Sequence, residues 1–311
     1  MKRNQIGETG VSVTEVSFGC SGIGNLFREV SEGEAQDVLE HAWARGIRYF
    51  DTAPHYGRGL SEQRVGAFLR GRNRDDLVLS TKVGRLLAPG PALEEADGFV
   101  RPLPNAVRFD YSGEGIEAAF EQSCERLGTR FIDIVYVHDI GADTHGAAEN
   151  ARHMSDLLGS GLERLWRLKS SGRLRAFGLG VNEAQVCLDV MTQTKIDVIL
   201  LAGRLTLLDR SAEADLVPAC RRTGTSLVLG GIFNSGILAT GPVPGATYDY
   251  GPAPQDVIDR VRSLEAEAAS QGRSLVEAAL RFALGHPAAA SVLLGTAKAS
   301  SLERNLAMVP G

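Results

Sequence analysis

Cysteine is scarce: Cys20, Cys124, Cys187 and Cys220 are the four in 311 residues, and no two have CxxC spacing. That argues against a zinc module and a disulfide framework, and it suits a reducing cytoplasm. Long apolar runs are missing too. Stretches such as 198–202 are strand-sized, against the roughly 18 residues of a membrane-spanning helix. The opening MKRNQIGETGVSV has no apolar core of the kind a secretory leader needs, so none is expected. Basic charge is not in excess, with 33 Lys plus Arg against 38 Asp plus Glu and a net charge of -5. A nucleic-acid-binding surface and a membrane partner are therefore not expected. Neither repeats nor low-complexity tracts interrupt the chain. What is present, 43% hydrophobic and 23% charged residues, is enough apolar surface for a globular core.

Short aliphatic runs alternate with longer amphipathic stretches almost from end to end. Strands are read at 13–19, 48–51, 78–82, 132–138, 176–180, 198–202, 226–229 and 291–294. Helical patterns fall at 31–45, 61–70, 115–127, 159–171, 183–192, 213–222 and 274–284, and Gly46, Gly172 and Gly224 punctuate several helix ends. Eight strands in βα alternation predict a closed (β/α)8 barrel, read as one domain over residues 1–311. A doubly wound sheet would open with a GxGxxG loop, and the nearest cluster, Gly19, Gly22 and Gly24, has the wrong spacing. Two Gly- and Pro-rich stretches break the rhythm, 84–110 after the third strand and 241–254 after the seventh. Both follow C-terminal strand ends, where a barrel carries its active-site loops.

Polar residues terminate three successive strands. GIRYFDTAPHYGRGL places Asp51 at the end of the second strand and Tyr56 on the loop beyond, STKVG ends the third on Lys82, and DIVYVHD ends the fourth on His138. An Asp–Lys pair alone is more often a structural ion pair, and a lone strand-ending His is as often a core residue. Four such groups at one barrel mouth point to chemistry. A phenol ionises near 10, and an adjacent ammonium pulls it down. Lys82 is thus expected to activate Tyr56, Asp51 to orient Lys82, and His138 to hydrogen-bond a substrate oxygen. No metal is expected, because His41, His145, His153 and His286 show no ligand pairing. His55, beside Tyr56, is ambiguous.

These motifs resemble the aldo-keto reductase family, in which a DTAxxYG element, a strand-ending Lys and a strand-ending His form a catalytic tetrad in a TIM barrel. The resemblance covers essentially the whole chain, since GTAKASSLERNLA after the last strand is similar to the family's adenine-end cofactor segment. It implies the tetrad Asp51, Tyr56, Lys82 and His138 and a nicotinamide cofactor that exchanges the hydride no side chain can supply. NADPH-using relatives carry basic residues for the 2′-phosphate in that last segment. Here Gly295, Thr296, Ala297 and Ser301 occupy the places, and Lys298 is the cation that remains. The resemblance therefore implies NAD ahead of NADP, with Asn305 at the adenine contact. At the fifth strand Asn182 stands near the family's Ser-Asn pair. The common Gln of the sixth is replaced near Ala202. The nicotinamide-stacking aromatic falls near Gly230, leaving Phe233 to cover the ring.

GLGVNE together with LVLGGIFNSGIL resembles the branch that contains aldose 1-dehydrogenases, acting on L-fucose and related sugars, and pyridoxal 4-dehydrogenases. Both oxidise a cyclic hemiacetal. The implied activity is oxidation of an aldose at its hemiacetal carbon to a lactone. Pyridoxal oxidation and NADPH-dependent aldehyde reduction are the alternatives, and a regulatory binding module is the non-enzymatic one. The expected partner is a small molecule, and the expected assembly a monomer or homodimer.

Overall fold

Alternation of side chains along short strands sorts this chain's apolar residues into two layers. The computed structural model describes residues 1–309. In it, eight parallel strands close into a barrel. They are β1 (Val16–Gly19), β2 (Tyr49–Asp51), β3 (Val78–Val83), β4 (Ile132–His138), β5 (Leu174–Val181), β6 (Val198–Ala202), β7 (Ser226–Gly230) and β8 (Ala289–Gly295). Each pairs with its successor and β8 closes onto β1. Helices α1 (Glu32–Ala44), α2 (Leu60–Leu69), α3 (Gly113–Leu127), α4 (Leu162–Ser170), α5 (Ala184–Met191), α6 (Leu216–Thr223), α7 (Leu275–Gly285) and α8 (Ala299–Ala307) return the chain along the outside. This is the (β/α)8 TIM barrel that the βα rhythm implied.

Outward-facing Phe18, Phe50, Leu79, Val135, Val137, Phe177 and Leu179 join the helices in one hydrophobic layer. Inward-facing Tyr49, Val78, Ile134, Tyr136, Ala176, Val198 and Leu200 fill the lumen. With a side-chain period of two, the inward rows of β2, β3 and β4 continue upward to Asp51, Lys82 and His138. The alternation that builds the core thus delivers three polar groups to one end.

The stretch 13–19, read as one strand, is two elements. Val11–Thr14 pairs antiparallel with Arg3–Ile6, and the chain turns at Glu15 before β1. Ile6, Val11 and Val13 pack with the lumen residues and so plug the barrel's N-terminal end. Val11 and Val13 keep the alternation of a strand, and nothing in the local pattern marks the change of direction. The helical pattern at 159–171 also begins earlier. Helices Ala142–His145 and Ala147–Asp156 precede it, and a π turn over Leu157–Gly161 leads into α4. A helix at Gln255–Ser270, opened by Pro254, lies outside the expected set. The adenine-end segment itself forms α8. Among the described residues, no helix is long and apolar enough to cross a membrane.

The two rhythm-breaking stretches are folded hairpins rather than open loops. In the first, Arg85–Pro89 pairs with Asn105–Phe109 and, further out, Glu95–Ala96 with Phe99–Val100. Its tip reaches the loop after β1, where Phe27 N donates to Gly98 O at 2.8 Å and Val100 N to Asn25 O at 3.0 Å. In the second, Thr247–Tyr248 pairs with Gly251–Pro252 across a turn in which Asp249 and Tyr250 both have positive φ. That is the backbone twist two-residue hairpins favour.

Candidate active site

At the C-terminal mouth Lys82 Nζ donates to Asp51 Oδ2 at 2.7 Å and to Thr52 O at 2.9 Å. Gly180, inward on β5, leaves the room: a Cβ there would sit 3.2 Å from the Tyr136 side chain and 3.5 Å from Lys82 Cε. Below the pair runs a ladder of buried hydroxyls. Ser80 Oγ lies 2.6 Å from Asp51 Oδ1 and 3.1 Å from Tyr49 Oη, which in turn is 2.8 Å from Tyr136 Oη. Each hydroxyl has one proton, so Tyr136 donates to Tyr49, Tyr49 to Ser80 and Ser80 to the carboxylate. Asp51 is therefore held from both sides.

Tyr56 comes in from the loop after β2. Its neighbour Gly57 has φ +63, and a Cβ on it would meet Gly24 O at 2.4 Å. Glycine is required there because the loops after β1 and β2 touch backbone to backbone. Lys82 Nζ lies 4.6 Å from the centroid of the Tyr56 ring, and the His138 ring centroid is 6.1 Å from it. The structure therefore brings Asp51, Tyr56, Lys82 and His138 together. It differs from expectation in the charge state of Tyr56. Burial outweighs the downward pull of Lys82, and the phenol is pushed up to about 12. Burial alone would lower the Lys82 ammonium, but Asp51 and then Tyr56 more than offset this and leave it above its ordinary value.

A second polar layer stands beside the tetrad. Arg85, the first residue of the lid hairpin, places Nη1 at 3.0 Å from His55 Nδ1 and pairs through Nη2 with Asp139. Asp139 Oδ2 is 3.3 Å from His138 Nε2. His55, ambiguous in the sequence, is pushed down to about 3 by burial and by the charges of Arg85, Lys82 and Arg58. His138 is held well below its ordinary value by burial, Arg85 and Lys82. Phe99 of the lid is buried against this group, its ring 5.3 Å from His55 and 6.2 Å from Tyr56. Sequence reasoning missed Arg85, Asp139 and Phe99. Asp139 was visible in VHD, directly after His138; the other two were hidden in a stretch without periodicity.

The sequence agrees with this geometry. Residues 15–310 match the aldo/keto reductase family. The chain belongs to the aldo/keto reductase family. It is 37% identical to a pyridoxal 4-dehydrogenase of Microbacterium luteolum, covering 98% of this chain and 92% of that one. It is also 37% identical to a D-threo-aldose 1-dehydrogenase of a Pseudomonas species, covering 95% and 89%. An aldo-keto reductase of Bacillus halodurans in its holo form superposes with a TM-score of 0.76 at 28% identity, covering 100% of this chain and 91% of that structure. This aldo/keto reductase is accordingly an oxidoreductase that acts on a small molecule with a nicotinamide cofactor.

The positions expected to hold that cofactor lie on the other arc of the aldo/keto reductase mouth. Asn182 follows β5, Gly230 ends β7, Phe233 lies in the loop beyond, and Gly295 ends β8. Thr296 and Lys298 lead into α8, where Ser301 and Asn305 are four residues apart and share a face. A Cβ on Gly230 or Gly295 would meet nothing closer than 3.4 Å, so their smallness is not forced by packing and leaves space at the mouth. No side chain caps the first turn of α8, and the Ser301 N–H already donates to Lys298 O, so the N–H groups of Ala299 and Ser300 are left for an anion such as a phosphate. The residues present fit a dinucleotide. Three details add to the sequence reading. Asn182 Nδ2 donates to Tyr250 Oη of the second hairpin at 3.1 Å, and Phe233 packs half-buried against two hydrophobic clusters. Lys298 is also not the sole cation: Arg304 Nη2 donates to Ser301 Oγ at 3.1 Å, and Arg28 Nη2 reaches Ala297 O at 3.5 Å.

Proposed function

We propose that this aldo/keto reductase oxidises cyclic hemiacetals, foremost an aldose of the L-fucose type at C1 to its lactone, with pyridoxal in its closed form as the second candidate. The observation that carries the reading is the site's two-sided wall beside Tyr56. Phe99 offers an apolar face to a ring, and Asp139, whose Oδ1 makes no hydrogen bond among the described residues, offers an acceptor for a ring hydroxyl. A polyhydroxylated ring uses both, whereas a simple aliphatic aldehyde uses neither. The 37% identity to an aldose and to a pyridoxal dehydrogenase supports the same class.

Tyr56, Lys82, Asp51 and His138 are the groups we assign to the reaction. The anomeric hydroxyl sits between Tyr56 and His138, and its proton passes to the Tyr56 phenolate as C1–O becomes a carbonyl. Lys82 stabilises that phenolate, Asp51 keeps Lys82 charged and aimed, and the hydroxyl ladder below fixes Asp51. His138 donates to the substrate oxygen. A bound nicotinamide supplies the acceptor for the hydrogen and electron pair leaving C1. Gly230 and Gly295 leave room for the dinucleotide, Phe233 and Asn182 border the nicotinamide end, and Thr296, Lys298, Ser301 and Asn305 hold the adenine end. NAD is preferred, by a margin that Arg28 and Arg304 narrow. The four cysteines, buried and unpaired, suit a cytoplasmic setting.

The test is turnover of L-fucose, other aldoses, pyridoxal and aliphatic aldehydes with NAD and NADP, with the product identified as lactone or acid. A kcat/KM higher for an aliphatic aldehyde than for every hemiacetal overturns the reading.

A further inference from the structure

The Arg85–Asp139 pair is buried at the edge of the reaction site but belongs to none of the four groups assigned to the reaction. Arg85 is 8% exposed, and both of its terminal nitrogens are engaged, one with His55 and one with Asp139. Asp139 has φ +47, a left-handed conformation that costs a non-glycine residue free energy. Its amide is held by Gly180 O at 2.9 Å. The strain aims its carboxylate back at the imidazole of the preceding residue. Among the described residues His138 Nδ1 is sealed from solvent without a hydrogen-bond partner, while Nε2 lies 3.3 Å from Asp139 Oδ2, close enough for electrostatic attraction but not aligned as a hydrogen bond.

These contacts decide where the imidazole proton resides. On Nδ1 it would be buried with no acceptor. On Nε2 it lies in the field of a nearby carboxylate without being tied up in a hydrogen bond to it. A carboxylate that close would ordinarily also draw a second proton onto the ring, giving an imidazolium. Burial is the first obstacle to that, Arg85 adds its own charge and neutralises Asp139, and Lys82 on β3 adds to the repulsion. The other titratable groups facing this cluster are His55 and Tyr56 from the loop after β2, Tyr111 from the end of the lid, and His145. Tyr111 donates to His138 O at 2.7 Å and adjoins His145 Nε2 at 2.9 Å.

We propose that Asp139, clamped by Arg85, is a positioning residue that fixes His138 as a neutral imidazole with its proton on Nε2, ready to donate to the substrate oxygen. Because Arg85 opens the lid hairpin, the same clamp ties the lid's base to the reaction site. The assignment of His138 as the donor rests on the proposed function; the tautomer itself does not.

The experiment uses the full chain with 15N-labelled histidine, the His138 signals being assigned by their loss in His138→Gln. In the parent, His138 should show a neutral, Nε2-protonated ring that does not titrate between pH 5 and 8. Arg85→Met should bring a His138 titration into that range and, in turnover, a new acid limb that lowers kcat/KM about tenfold at pH 6 and fades toward pH 8. Arg85→Lys keeps the charge and should behave as the parent, separating charge from packing. Asp139→Asn retains an acceptor and should keep the tautomer, and combined with Arg85→Met it should abolish the new titration. Asp139→Ala should release a mixture of tautomers. A His138 that stays neutral in Arg85→Met, or that keeps one tautomer in Asp139→Ala, overturns the proposal. If the NMR behaves as described while the parent turns over no hemiacetal, the substrate reading falls and the positioning role stands.

Discussion

Lys82 Nζ donates to Asp51 Oδ2 at 2.7 Å with the two side chains 2% and 0% exposed. A buried pair of this kind contributes little net stability, because desolvation offsets most of the attraction, but removing one partner strands the other. Its value here is positional: a compact cation is held against the Tyr56 ring at the top of a buried hydroxyl ladder. Asp51→Asn should therefore cost about 3–5 kcal/mol of stability, read as a lower Tm or urea midpoint. It should also depress kcat by more than the lost folded fraction explains. Parent-like Tm and kcat would show that Asp51 is dispensable to Lys82.

Tyr56→Phe removes the proposed proton acceptor and leaves the cofactor arc untouched. The expected outcome is a fall in kcat of about a hundredfold or more, with dinucleotide affinity, followed by fluorescence titration, unchanged. Near-normal turnover of every aldose, pyridoxal and aldehyde would take Tyr56 out of the reaction.

The pH dependence of oxidation follows from Tyr56 being pushed up to about 12. In the proposed reaction only the phenolate accepts the substrate proton, so below that value the active fraction rises about tenfold per pH unit. Oxidation should climb through the alkaline range to the limit of the fold's tolerance. Lys82→Met removes the one strong downward pull on the phenol and should displace the climb to still higher pH. A profile flat from pH 7 to 9 in the parent would place the controlling ionisation elsewhere.

Stability should show an acid limb set by buried neutral histidine. His55 is lowered from about 6.5 in an unfolded chain to about 3 in the fold, and His138 is lowered as well. Below pH 6.5 the unfolded chain takes up protons that the folded one refuses, so stability present above that value is lost as pH falls toward 3. Each such histidine costs about 1.4 kcal/mol per pH unit in that window. Urea midpoints at pH 7, 5.5 and 4.5 should decline, and His55→Asn should lessen the slope.

If Arg304, bonded to Ser301 Oγ at 3.1 Å, reaches the 2′-phosphate, Arg304→Ala should raise the NAD:NADP ratio of kcat/KM severalfold by weakening NADP alone. Ser301→Arg should lower that ratio. Equal ratios in parent and Arg304→Ala would assign the remaining NADP affinity to Lys298 or Arg28.

Asp51, Lys82 and His138 were legible in the chain as written, because each closes a short apolar run and a strand's two-residue period aims it with the run's inward row. Tyr56 was legible through the DTAxxYG spacing, and Gly57 now has its reason in the backbone contact with Gly24. The barrel itself followed from eight alternations of strand and helix, since parallel strands need long crossovers and eight of them close. What the sequence left open depends on contacts between residues far apart in the chain. Arg85 meets Asp139 across 54 residues and His55 across 30, and Arg28 reaches Ala297 O across 269. The charge state of Tyr56 was decided in the same way. The sequence supplies the Lys82 charge that lowers the phenol, but the burial that raises it exists only after the lid, with Phe99, has folded over the mouth.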